Sequence, residues 1–113
     1  MITEFSFGRI EVEGQIFNND IKIVEGKLVP NWWRRSGHSV EIDDVQDILD
    51  SDSEILVIGR GQPGYMKITD DLRGLLEKNK IKLIEEPTRE AIRTFNRLHK
   101  KDEPVSGGFH VGC

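Results

Sequence analysis

The sequence predicts a mixed α/β (α+β) fold of three layers, β/β/α: an N-terminal β-meander packed on a small mixed sheet whose second half reads β-α-β-α-β. Three observations predict it. Residues 5–30 alternate apolar and polar side chains and are broken by Glu13-Gly14, Asn18-Asn19-Asp20 and Glu25-Gly26, the pattern of short antiparallel strands joined by tight turns. Ile55-Leu56-Val57-Ile58 is a short apolar run ended by Gly59, which suits a strand buried on both faces of a parallel sheet. Two helical stretches follow it, each leading to a further β segment, so the strands they join are parallel neighbours with right-handed crossovers.

The 113 residues fit one domain, 1–113, with the meander layer at 5–30 and the α/β half at 41–113. A chain of this size buries roughly 65% of its unfolded surface, enough for a core without metals or disulfides. The net charge of −4 argues against nucleic acid and anionic membrane as partners, because phosphate affinity comes from clustered Lys and Arg. Cys113 is the one cysteine, so no internal disulfide and no thiolate zinc site are expected, and the usage suits a reducing compartment. The start Met1-Ile2-Thr3-Glu4-Phe5 lacks the basic and long apolar regions of a signal peptide. No apolar run approaches 18 residues. The expectation is a cytoplasmic protein, a monomer or weak homo-oligomer.

In order, the meander carries Phe7 to Val29 and stops at Pro30. Residues 31–40 have no periodicity and read as a crossing loop. Asp43, with Gln46 three residues on, has a capping-box pattern and opens a short helix with Val45, Ile48 and Leu49 on one side. After the apolar strand, Thr69 caps a helix reaching about Asn79. Its Ile68, Leu72, Leu75 and Leu76 mark a buried face, and Asp70 and Asp71 suit its first turn. Residues 81–84 form the next strand, stopped by Pro87. Thr88 caps a third helix with Ala91, Ile92, Phe95 and Leu98 inward. Residues 104–113 enter a last strand through Gly107-Gly108.

Two stretches carry possible chemistry. Gly59-Arg60-Gly61-Gln62-Pro63-Gly64 satisfies G-x-G-x-x-G after a strand, as a dinucleotide fingerprint does. The match then fails: the helix begins near Thr69, too late to offer its N–H groups to a pyrophosphate, and Pro63 removes a donor. What remains is a tight turn out of a buried strand, or a small anion site serving either binding alone or catalysis. In the latter, Gly59, Arg60, Gly61 and Gly64 supply the loop, with Arg34 and His38 as further polar groups. Trp32-Trp33-Arg34-Arg35 is the other. Two tryptophans beside two arginines suit base stacking, a phosphate grip or a protein-contact hot spot. The plainer reading has one Trp covering the sheet with an Arg over its ring. With nucleic acid disfavoured, Trp32, Trp33 and Arg35 are candidates for a protein interface. His99 reads as a solvated residue at a helix end. His110 and Cys113, three apart on a strand, point to opposite faces and make no dyad. No catalytic set, metal-ligand spacing or cofactor motif is expected.

Trp33-Arg34, Gly37-His38-Ser39, Leu56-Val57-Ile58-Gly59-Arg60-Gly61, Gly107-Gly108-Phe109-His110 and Cys113 together resemble a family of small single-domain proteins. It includes the adipogenesis-associated protein of animals and, more distantly, mitochondrial complex I assembly factor 3. The resemblance covers nearly the whole chain and implies a three-layer β/β/α fold with no established catalytic set. It also implies a cytosolic or mitochondrial domain associated, in some members, with assembly of other proteins. Gly112 departs from the threonine common at that place, and the chain shows no mitochondrial presequence.

Overall fold

A computed structural model describes residues 1–112. It holds ten strands, three α-helices and one 3-10 turn, and the mixed α/β class is as the sequence predicts. The N-terminal strands β1 (Ile2–Ser6), β2 (Arg9–Val12) and β3 (Gln15–Phe17) form an antiparallel sheet in chain order. β4 (Ile21–Val24) and β5 (Lys27–Val29) read from sequence as its continuation, but they join the larger sheet instead. The layer expected over 5–30 is thus β1–β3 alone, beginning at Ile2. Glu13-Gly14 and Glu25-Gly26 turn the chain with φ of 47° and 87°, and of 48° and 81°, the paired positive φ of a type I′ hairpin.

The five-stranded sheet runs β5-β4-β10-β7-β9. β7 (Ile55–Gly59) lies between β10 (Val105–Phe109) and β9 (Lys82–Glu86) and is parallel to both. β4 is antiparallel to β10. The strand read as buried on both faces is so: Val57 faces one core cluster, and Leu56 and Ile58 face another.

Those clusters fill the two sides of the sheet. One joins β1–β2 and helix α3 (Thr88–Lys100) through Ile10, Ile21, Ile23, Phe95 and Phe109. The other joins α1 (Gln46–Leu49), α2 (Asp70–Lys78) and Trp32 through Ile48, Met66, Leu72 and Leu76. Helix α3 therefore shares its side with the N-terminal sheet rather than lying with the other helices. A further parallel pair, β6 (Ser39–Val40) with β8 (Lys67–Ile68), closes the second side.

Strand β10 is built to accept rings. A Cβ on Gly107 would stand 2.7 Å from the Phe109 ring, and one on Gly108 would stand 2.6 Å from the Trp32 ring. Glycine lets both aromatics lie close on the strand, one per face.

Helix starts differ from expectation in two places. The 3-10 turn Ile42–Val45 precedes α1, and its N-cap is Glu41, whose N–H donates to Asp44 Oδ2 at 2.8 Å. The capping box is two residues earlier than Asp43/Gln46 because Asp44 is buried and also accepts from the Arg35 N–H. In α3 the cap is Pro87, and Thr88 is the first helical residue, wholly buried. Its hydroxyl is engaged elsewhere, as described next. The α2 cap is as expected, Thr69 accepting from Leu72 N.

Candidate functional site

The parallel strands β7, β9 and β10 end on one edge of the molecule. From β7 the chain crosses by α2 on one side of the sheet. From β9 it crosses by α3 on the other, returning beyond β7 to β10. The reversal lies between β7 and β10, the place where open α/β sheets form ligand crevices. Gly59 ends one strand there and His110 follows the other, with His110 N–H donating to Gly59 O at 3.0 Å.

An ionic cluster is built at this edge. Asp20, just before β4, accepts Arg34 Nη1 at 2.6 Å and His110 Nδ1 at 2.8 Å on one oxygen, and Val111 N–H at 2.8 Å on the other. The Arg34 side chain is 4% exposed, and Asp20 and His110 are 13% and 14% exposed. Burial pushes the Asp20 carboxyl up. The hydrogen bonds from His110, Val111 and Arg34 outweigh that, and it titrates below the ordinary value. Arg34 also donates to Gly37 O at 3.1 Å and lies 4.8 Å from the Trp32 ring centroid. Its Nε is buried without a hydrogen-bond partner. With Asp20 ionised, the His110 proton sits on Nδ1, and Nε2 is left without a partner among the described residues.

Thr88 ties this cluster to the glycine loop. Its Oγ1 accepts from Gly61 N–H at 2.8 Å and donates to His110 O at 2.5 Å. The loop then folds on itself. The N–H groups of Arg60 and Gln62 donate to Glu86 O and Gly112 O, and Thr88 N–H donates to Gly61 O. Arg60 Nε donates to Met66 O, and its guanidinium lies 3.6 Å from Glu85. Gly64, at φ 117°, rests on Pro87. Three consecutive loop amides thus already meet protein acceptors.

Of the residues singled out from sequence, Arg34, Gly59 and Gly61 are brought together through His110 and Thr88. Arg60 and Gly64 flank them. His38 is exposed and follows Gly37, whose carbonyl accepts from Arg34. Trp32 is buried, its Nε1 donating to Asp44 O at 2.9 Å, with Arg34 over its ring; this is the plainer reading for that pair. Trp33 is 74% exposed, and exposed Arg35 faces Asp43 at 3.7 Å. Sequence reasoning misses Asp20, Thr88 and His110 as members of the site. Asp20 stands in an Asn-Asn-Asp run that signals a turn, and Thr88 in a helix-start pattern. His110 could be found only by knowing that residue 20 lies beside it. Cys113 lies outside the described residues.

Large exposed apolar residues sit in the connections next to the cluster. Phe7, 66% exposed, sits in the β1–β2 turn, whose Gly8 N–H donates to Val111 O at 2.7 Å. Trp33 lies between Trp32, bonded to Asp20 O through its N–H, and Arg34. Tyr65, 68% exposed, closes the glycine loop. Among the described residues no cluster of His, Cys, Asp and Glu is placed to hold a metal ion, and no helix is long and apolar enough to cross a membrane.

Solved structures share this fold. A conserved hypothetical protein of Pyrococcus horikoshii matches with TM-score 0.84 at 26% identity, over 100% of this chain and 99% of its own. A protein of Xanthomonas campestris matches with TM-score 0.83 at 18% identity, over 99% of this chain and 84% of its own. A Bordetella pertussis protein described as a Mth938-like domain matches with TM-score 0.70 at 20% identity, over 97% of this chain and 84% of its own. Residues 2–110 match one family throughout, and the chain belongs to it: protein of unknown function (DUF498/DUF598).

Proposed function

We propose that the protein is a non-enzymatic contact module that docks a protein partner on the edge where the parallel strands end. The observation that carries this is that Phe7, Trp33 and Tyr65, three of the four large exposed apolar residues among the described residues, sit in connections hydrogen-bonded at that edge. Arg9, Arg35 and Arg60 lie in or beside the same connections. Lys27, Lys78, Lys80, Lys82, Lys100 and Lys101 belong to the opposite end, and Lys67, two residues after Tyr65, is the exposed lysine near this edge. Aromatics and arginine enriched, with lysine depleted, is the composition of a contact surface. The cluster Asp20–Arg34–His110 acts beneath it as a rigid floor. The resemblance to a family containing a complex I assembly factor and the adipogenesis-associated protein supports an assembly-type role.

The other reading is an anion held by Gly59, Arg60, Gly61 and Gly64 with Arg34 and His38. It has less support: the amides of residues 60–62 are occupied, and Arg34 is neutralised by Asp20. Affinity capture from the native extract tests the docking reading, with Trp33→Ala and Tyr65→Ala as variants. Partners retained by the wild type and lost from the double variant are expected; the same partners on both would overturn it.

A further inference from the structure

We propose that the groove between β1 and α3 binds a carboxylate carried on an apolar stem, independently of the aromatic edge. β1 is the edge strand of its sheet, and α3 runs beside it. The groove between them has a volume of about 220 Å³, and Ile2, Phe5, Arg89, Ile92, Arg93 and Asn96 line it. Its walls are fixed. The Asn96 side chain accepts from Ile2 N–H at 3.0 Å and donates to Ile2 O at 2.7 Å, pairing with the strand edge as a further strand would. A site held on both sides before binding loses little entropy when filled.

Its arginines form no ion pair among the described residues, and Glu4 is the one carboxylate lining it. Arg89, Arg93 and Arg97 recur at four-residue spacing along α3, and none forms an ion pair among the described residues. This occurs in a chain of net charge −4. Arg89 is the second residue of the helix, where the dipole disfavours a cation by about 0.3–1 kcal/mol. Helix stability therefore does not account for it. Its guanidinium lies 5.2 Å from the Phe5 ring centroid, held over the groove by the ring face.

The lining selects the ligand. Two arginines one turn apart present forked donors that match a carboxylate. Ile92, 8% exposed, and half-buried Phe5 form an apolar floor for a stem. Glu4 stands on the rim and opposes a dianion more than a monoanion. The carboxylate belongs either to a free acid or to a glutamate flanked by apolar residues in a protein segment.

Amide-resolved NMR titration separates these. Hexanoate represents the free acid, acetyl-Leu-Glu-Leu-amide the protein segment, and hexanamide is the uncharged control. Saturable shifts at Phe5, Arg93 and the Asn96 side-chain amide are expected with at least one carboxylate and not with hexanamide. The source is the probe that binds more tightly. Arg89→Gln and Arg93→Gln are surface changes, and each should weaken binding about tenfold. Silence from both carboxylates, equal shifts from hexanamide, or unchanged binding by the Arg89→Gln/Arg93→Gln variant would each overturn the proposal.

Discussion

Replacing Asp20 with Asn removes one negative charge from the best-buried ionic cluster while keeping the side chain's shape. Three donors converge on that carboxylate, and the Arg34 side chain beneath it is 4% exposed. Removing one partner of a buried pair typically costs about 3–5 kcal/mol, because the other charge stays in a dry site without compensation. The amide oxygen of Asn keeps one acceptor, so the lower end, about 3 kcal/mol, is expected at neutral pH. For a chain of this size that lowers Tm by about 12 °C. Urea titration followed by circular dichroism measures it, with the midpoint falling and the slope unchanged. The pH dependence supplies a second reading. The folded Asp20 carboxyl titrates below its ordinary value of 3.8, so its contribution is complete above roughly pH 4 and fades as pH falls through the lower folded value. The gap between wild type and variant should therefore close as the solution is acidified below about pH 4. An Asp20→Asn protein within about 1 kcal/mol of wild type at about pH 7, or a gap unchanged by acid, would refute the reasoning.

Thr88→Val leaves Gly61 N–H and His110 O without their shared hydroxyl and should cost about 1–3 kcal/mol in chemical denaturation; Thr88→Ser should recover most of it. Gly108→Ala puts a methyl 2.6 Å from the Trp32 ring and should lower stability by about 1–3 kcal/mol, read as a drop in melting temperature. Trp33→Ala, at a 74% exposed position, should change stability by less than about 0.5 kcal/mol in the same melt. Arg73→Ala breaks the surface ion pair with Glu85 and should cost less than about 1 kcal/mol, with the difference shrinking in high salt.

Periodicity made the α/β half legible. The run Ile55–Ile58, short and ended by Gly59, suits a strand covered on both faces, and Leu72 and Leu76 with Thr69 ahead of them specify α2 and its cap. The N-terminal half was less so, because an alternating strand announces its faces but not its sheet. Nothing local tells Ile21–Val24 to pair with residues 107–109 rather than with β3. β6 and β8 have two residues each, too few for any period to show. The ionic cluster escaped for a related reason: Asp20 and His110 are 90 positions apart, and each has an ordinary local explanation. Arg34 was visible because the tryptophans beside it are rare, not because its partner was.

The adjacency of Trp32 and Trp33 has a spectroscopic consequence. One indole is sealed against a glycine strand beneath a guanidinium, and its neighbour looks into water. Excitation near the red edge and quenching by iodide should therefore resolve two emitters from a single dipeptide. One answers to melting of the interior, and the other answers to whatever settles on the outside.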